Sequence, residues 1–426
     1  MGGGRREVSR RGSAAGNSHE WYDDQAATVT ADFGDLVELI AANRSRSMKD
    51  VSTLPPRGVT LFLCGDVMTG RGVDQILPQP SAPQLFEAYA GSAESYLELA
   101  EATTGPIARP VDAAYVWGHA LCELERAQPQ ARIINLETAV TTSEDAWAGK
   151  GIHYRMHPGN VSCLTAARID CCVLANNHVL DWGASGLVET LETLHRAGIH
   201  TAGAGHDEAE AAASATIDLP AGGRALVFAF GCESAGIPRQ WKAGKGRAGV
   251  NILDDLSARA AERIGLQVRA QRRALDIAVV SLHWGGNWGY RIPAGHRAFA
   301  HMLIDAAGVD VVHGHSSHHP MGFEVYRDKL ILYGCGDFLN DYEGIGGYQT
   351  YRSELTLMYF PTLDAATGSL ERLLLVPMQI RHFRLNRAGD QDALWLEATL
   401  NREVRESGLT LERQADNALL LKRREK

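Results

Sequence analysis

Four histidines fall within seven residues at His313-Gly314-His315-Ser316-Ser317-His318-His319. They follow the apolar run Gly308-Val309-Asp310-Val311-Val312, which has the pattern of a short buried strand interrupted at Gly314. Neutral imidazole is a common ligand for divalent metals, and strand ends are where layered α/β proteins place their chemistry. The cluster therefore suits a metal centre. A polar loop rich in histidine is the plainer alternative, and the other strand ends decide between the two.

Four further apolar runs end in groups able to bind a metal. They end at Asp66, at Glu137, at Asn177 with His178, and at His283. Singly, each has an ordinary explanation: Asp66 as a helix cap, Glu137 as a loop acid, Asn177 as a turn residue, His283 as a core histidine. Together with His315 and His318 they occupy one kind of position, just beyond an apolar run. Strand ends on one edge of a sheet converge in space, so residues distant in sequence can share an ion. The oxygen and nitrogen set contains no thiolate, which favours Mn, Fe or Zn.

The elements that must position these groups follow from pattern and composition. With 426 residues, 45% hydrophobic and 22% charged, the chain has the make-up of a globular protein with a large core. Its formal charge is -9 and its basic clusters are confined to short ends such as Arg5-Arg6 and Lys422-Arg423-Arg424. Nucleic acid is therefore not expected as a partner, since phosphate binding needs a basic footprint. Seven cysteines, an odd number without a C-x-x-C pair, suggest buried thiols in a reducing compartment. There is no apolar run of roughly 18 residues and no hydrophobic signal core, so a cytoplasmic protein without a membrane segment is expected.

Residues 1–57 form an N-terminal extension, its first 20 residues expected to be disordered. An amphipathic helix is expected over 23–43 from the spacing of Phe33, Leu36, Leu39 and Ile40. Residues 58–385 alternate strands with helices expected over 111–127, 186–197, 254–273 and 294–307, which predicts a layered α/β fold. A hairpin is expected over 323–333 and late strands over 372–383. Residues 386–426 are expected to be a basic helical tail.

The ordered series Gly65-Asp66-Val67-Met68, Asn135-Leu136-Glu137, Asn176-Asn177-His178, His283-Trp284-Gly285 and Gly314-His315-Ser316-Ser317-His318 resembles the CapA (poly-γ-glutamate capsule synthesis protein) family. That family is a branch of the calcineurin-like metallophosphatase superfamily. The resemblance covers roughly residues 59–340. It implies a four-layer αββα sandwich of the metallophosphatase type, with a one- or two-metal centre at the strand ends. It implies Asp66, Glu137, Asn177, His283, His315 and His318 as metal ligands, and His178 near the reacting group as acid or oxyanion stabiliser. Asn135, Asp181 and His313 would orient these groups from behind. The superfamily's first motif is Asp-x-His, but Met68 fills the histidine position, leaving one site an imidazole short. Arg71, after the first motif, and Trp284, in the Gly-rich run 284–291, are expected to shape the substrate pocket.

Three functions are consistent with these residues. The first is metal-dependent hydrolysis of a phosphoester or of a γ-glutamyl or peptide amide. The second is acid/base chemistry such as peptide epimerisation, with Asp66 as an unligated base. The third is a non-catalytic protein that binds polyglutamate or assists its synthesis. A small-molecule or peptide/polyglutamate substrate is common to all; the oligomeric state is left open.

Overall fold

Each apolar run singled out above forms a strand, because β-branched and leucine side chains fill both faces of buried sheets. The computed structural model describes residues 58–423 apart from residue 221. The N-terminal extension and its expected helix lie outside the described residues. The principal strands are β1 (Gly58–Val67), β2 (Ala131–Leu136), β3 (Cys171–Val173), β4 (His200–Ala202), β5 (Ala215–Asp218), β6 (Arg224–Gly231), β7 (Ile277–His283) and β8 (Val311–His315). They continue with β9 (Phe323–Tyr326), β10 (Lys329–Leu332), β11 (Asp337–Leu339), β12 (Leu355–Asp364), β13 (Leu370–Ile380), β14 (Leu385–Arg387), β15 (Leu409–Arg413) and β16 (Leu419–Arg423). The longer helices are α1 (Glu94–Thr104), α2 (His119–Ala127), α3 (Gly183–Arg196), α4 (Ala258–Gln271), α5 (Ala294–Asp305) and α6 (Asp390–Glu403).

Two sheets carry the site. The first has the order β15-β16-β13-β12-β1-β2-β3-β4, with β11 also paired to β1 and β14 to β13; the second has the order β9-β10-β8-β7-β6-β5. Alternation along the second sheet shows what each face covers. Ala225, Val227, Ile277, Val279, Val311 and Leu330 join the core built on β1, which Ala120 and Leu124 of α2 and Leu187 and Leu191 of α3 also enter. The intervening Leu226, Phe228, Ala278, Val280 and Val312 pack instead on Ile264 and Val268 of α4 and on Phe299 and Leu303 of α5. The result is the expected four-layer αββα sandwich.

Register brings the chemistry to one edge. Asp66 pairs with Asn135 on one side and with Asp337 on the other. In the second sheet His283 is level with His315. The two sheets are joined at this end by a hydrogen bond from His313 Nε2 to the Cys64 carbonyl, 2.8 Å.

Two expectations are corrected, and one strand is added. The helix expected over 111–127 is a short 3₁₀ turn, Tyr115–Trp117, followed by α2. Strand β12 was not anticipated, because Pro361 within it argues against a strand; it pairs along its length with β13. The tail from residue 386 is not wholly helical. After α6 it returns as the hairpin β15–β16, which joins β13 of the first sheet, burying Leu409, Leu411 and Leu419.

Gly65 is required by space. A Cβ there would lie 1.5 Å from the Gly336 carbonyl oxygen, which accepts the Asp66 amide at 2.9 Å. Gly65→Ala is expected to destabilise the fold by about 4 kcal/mol, the range of a steric clash in a core. Chemical denaturation followed by fluorescence measures it; a loss under about 1 kcal/mol would refute this close packing.

Candidate metal centre

Asp66, His283 and His315 come together where the two sheets meet. One potential ligand atom from each lies within 4.8 Å of the others, and all three side chains are buried. His283 Nδ1 is 2.8 Å from His315 Nδ1, and Asp66 Oδ1 is 3.7 Å from His315 Nδ1. Glu137 Oε1 stands 3.9 Å from His283 Nε2 and 3.8 Å from His178 Nε2.

Hydrogen bonding fixes the protons of this group. The Cys64 carbonyl only accepts, so His313 carries its proton on Nε2 and its Nδ1 accepts from the Ser281 hydroxyl, 3.1 Å. Ser281 Oγ then accepts from His315 Nε2, 2.8 Å away, which leaves the His315 Nδ1 lone pair facing the cluster. His283 faces acceptors on both sides, His315 Nδ1 and, at 3.0 Å, Asn177 Oδ1. A neutral imidazole has one proton and cannot serve both. Burial, then the nearby His178, holds His283 well below the usual imidazole range, so a second proton is not available. A cation fits this set, since it meets lone pairs where a proton is lacking.

The carboxylates tell the same story. Burial, then the charge of Asp337, raises Asp66 to about 7; burial, then Asp66, raises Glu137. Asn135 Nδ2 bridges them, donating to Asp66 Oδ1 at 2.7 Å and to Glu137 Oε2 at 3.1 Å. Asn176 holds Asn135 in turn, 3.0 Å. Ser316 takes φ 103°, a strained value for a non-glycine residue, and its amide donates to Asp66 Oδ2 at 3.2 Å.

A cavity of about 340 Å³ opens beside this group, lined by Glu137, Lys150, Tyr154, Asn177, His178, Asn287, Ser316, His318 and Tyr342 among others. His178 Nδ1 donates to Asp181 Oδ2 at 2.7 Å, so its Nε2 presents a lone pair. Burial, then the adjacent Lys150 ammonium, lowers His178 to about 4. This direction favours the neutral ring, with Nε2 free of a proton. Lys150 Nζ donates to Asp181 Oδ1 and to the Asn177 carbonyl.

Other expected residues lie elsewhere. Arg71 is buried and neutralised by Asp341, 2.5 Å, and Glu87, 3.0 Å, under the Tyr96 and Tyr154 rings. It cannot bind substrate, because its donors are spent inside the protein. Trp284 is core rather than pocket wall: its indole donates to the Tyr333 carbonyl at 2.9 Å and stacks on His296 at 4.3 Å. Asp66 is fully buried, its Oδ1 accepting from Asn135 and its Oδ2 from the Ser316 amide, and it is not among the residues that line the cavity. His318 is at the cavity wall, with Nδ1 bound to Asp337 Oδ1 at 2.8 Å. Met68 is buried with its sulfur 3.8 Å from the Tyr342 hydroxyl.

Lys150 and Ser281 were missed as site residues, whereas the loop carrying Asp337 could be read from the sequence either as reaching this edge or as an Asx turn. Lys150, in a glycine-flanked loop, had no signal.

Residues 60–342 match the model of the bacterial capsule synthesis protein PGA_cap family. A probable polyglutamine synthesis accessory protein of Mycobacterium tuberculosis (strain ATCC 25618 / H37Rv) is 48% identical over 365 residues, 85% of this chain and 96% of that protein. The PGA biosynthesis protein CapA of Bacillus subtilis (strain 168) is 28% identical over 278 residues, 65% of this chain and 62% of that protein. The crystal structure of a phosphatase from Mycoplasma pneumoniae aligns with a TM-score of 0.43 at 9% identity, over 76% of this chain and 95% of that one. With a family match across more than half its length, and the resembling motifs in order within it, this chain belongs to the bacterial capsule synthesis protein PGA_cap family.

Proposed function

We propose that the chain is a metal-dependent hydrolase that cleaves a phosphoester or a γ-glutamyl or peptide amide. The observation that carries this reading is His283, whose single proton faces two acceptors beside buried carboxylates. Asp66, Glu137, Asn177, His283 and His315 would hold the ion, and the nitrogen and oxygen donors suit Mn, Fe or Zn. Such an ion supplies Lewis acidity and a counter-charge for an anionic group.

The chain's own residues supply the rest. His178, fixed by Asp181, accepts a proton from the attacking water through Nε2. The cavity, of about 340 Å³, admits a single phosphoryl or acyl group with its flanking atoms rather than a folded polymer. Its walls offer the hydroxyl of Tyr342 and the amides of Asn177 and Asn287 as polar contacts.

A second reading is favoured by the Mycobacterium tuberculosis relative, whose name describes an accessory protein. There the pocket binds a glutamate polymer without cleaving it, in support of a separate synthetase.

Purified chain is expected to retain about one divalent ion after dialysis, and His283→Ala to lose it. With Mn(II), p-nitrophenyl phosphate, bis(p-nitrophenyl) phosphate and γ-glutamyl-p-nitroanilide separate the two readings. Turnover of any one, reduced about 100-fold or more in His178→Gln with the ion retained, supports the hydrolase. No turnover, with polyglutamate binding undiminished in His283→Ala, supports the accessory reading. Ser281→Ala is expected to weaken metal affinity about 10–100-fold in competition with a chelating dye. Unchanged affinity would remove Ser281 from the support of His315.

A further inference from the structure

We propose that Tyr342 is a catalytic residue whose hydroxyl donates to the anionic oxygen of a phosphoryl or tetrahedral acyl group held in the cavity. The inference rests on the hydrolase reading for the reaction it serves, and deepens it by naming the donor that meets the charge.

Tyr342 and Tyr154 both line the cavity, and the Tyr154 hydroxyl donates to the Tyr342 hydroxyl at 3.2 Å. Tyr342 then has its own proton to place, and it goes to the Met68 thioether, 3.8 Å away. A thioether accepts only weakly, so this proton is loosely held. An anionic oxygen is a far better acceptor, since hydrogen bonds to charged groups are roughly twice as strong as neutral ones. Exchanging sulfur for such an oxygen therefore favours the bound anion, while Tyr154 keeps the phenol oxygen engaged. Each phenol packs against an imidazole of the cavity. The Tyr154 ring meets His178 edge-on at 4.6 Å, and the Tyr342 ring meets His318 edge-on at 5.6 Å.

Arg71, expected from the sequence at the substrate, acts one layer behind it. Its guanidinium lies over the Tyr154 ring at 4.3 Å and 5.8 Å from the centre of the Tyr342 ring. Arg71 Nε donates at 3.1 Å to Asp341, the residue before Tyr342, and the Gly72 amide donates to the same carboxylate at 2.9 Å. The Tyr342 amide donates to Asn340 Oδ1 at 3.1 Å. The phenol is thus carried on a fixed backbone, which makes it a preorganised donor.

The test uses the full-length chain with Zn(II), and inorganic phosphate, a tetrahedral anion, as the probe. Tyrosine labelled with 13C at Cζ reports hydrogen bonding at each hydroxyl, and the NMR signal lost in Tyr342→Phe identifies Tyr342. Phosphate is expected to shift that signal. In Tyr342→Phe the phosphate affinity is expected to fall about 10-fold or more by calorimetry, with Zn(II) content and near-ultraviolet circular dichroism unchanged. Turnover with Mn(II) is followed on bis(p-nitrophenyl) phosphate for a phosphoryl group and on γ-glutamyl-p-nitroanilide for an acyl group. On the substrate cleaved, kcat/KM is expected to fall about 100-fold in Tyr342→Phe. It is expected to fall only about 3–10-fold in Tyr154→Phe, which leaves the donor and removes its neighbour. The proposal is overturned if phosphate leaves the Tyr342 signal unmoved, or if Tyr342→Phe binds phosphate or turns over like the wild type. It is also overturned if Tyr342→Phe loses the ion, or if Tyr154→Phe is the more damaging substitution. Absence of turnover in the wild type instead removes the hydrolase reading, while the phosphate-induced shift and affinity still decide whether the Tyr342 hydroxyl meets an anion.

Discussion

A neutral imidazole has one proton to give, and His283 meets an acceptor at each nitrogen. This shortage originates in the backbone. The Cys64 carbonyl cannot donate, so the order of protons through His313, Ser281 and His315 is set before His283 is reached. The donor chain begins on a strand of the first sheet and ends on strands of the second. The sandwich and the site are therefore specified by the same hydrogen bonds, and a shift of one sheet against the other would alter where the protons rest.

The surrounding charges are arranged to be costly without a counter-ion and tolerable with one. Asp66 and Glu137 are raised chiefly by burial and further by neighbouring carboxylates. The isolated burial of such groups is unfavourable unless they are paired or bind a metal. Arg71 does not relieve them; Asp341 and Glu87 already neutralise it. Lys150 is likewise engaged by Asp181. Met68 places a thioether, a soft and weak acceptor, against the Tyr342 hydroxyl. The candidate ligand group lies instead at Asp66, His283 and His315.

Much of this was legible in the sequence, for definite reasons. Strand ends on one sheet edge converge, so Asp66, Glu137, His283 and His315 could be grouped without coordinates. The late strands were harder. Pro361 conceals β12, and the tail's leucines suit a helix as readily as the hairpin they form. Side-chain destinations were hardest of all. Arg71 and Trp284 lie next to motif residues in sequence, yet their partners, Asp341 and Tyr333, come from segments about 270 and 49 residues away. Proximity along the chain does not reveal whether a guanidinium is already satisfied. Lys150 shows the converse, a loop residue that only tertiary pairing brings to the pocket.

The position of β1 has a bearing on how the protein is made. This strand is completed by β2 on one side and by β11 and β12 on the other. Synthesis delivers β12 roughly 300 residues after β1, a delay of about 15–60 s at usual elongation rates. During that interval an almost wholly apolar strand has one side without its partner. The acidic residue at the end of this first strand, Asp66, likewise meets Asp337 only after about 270 further residues have been made.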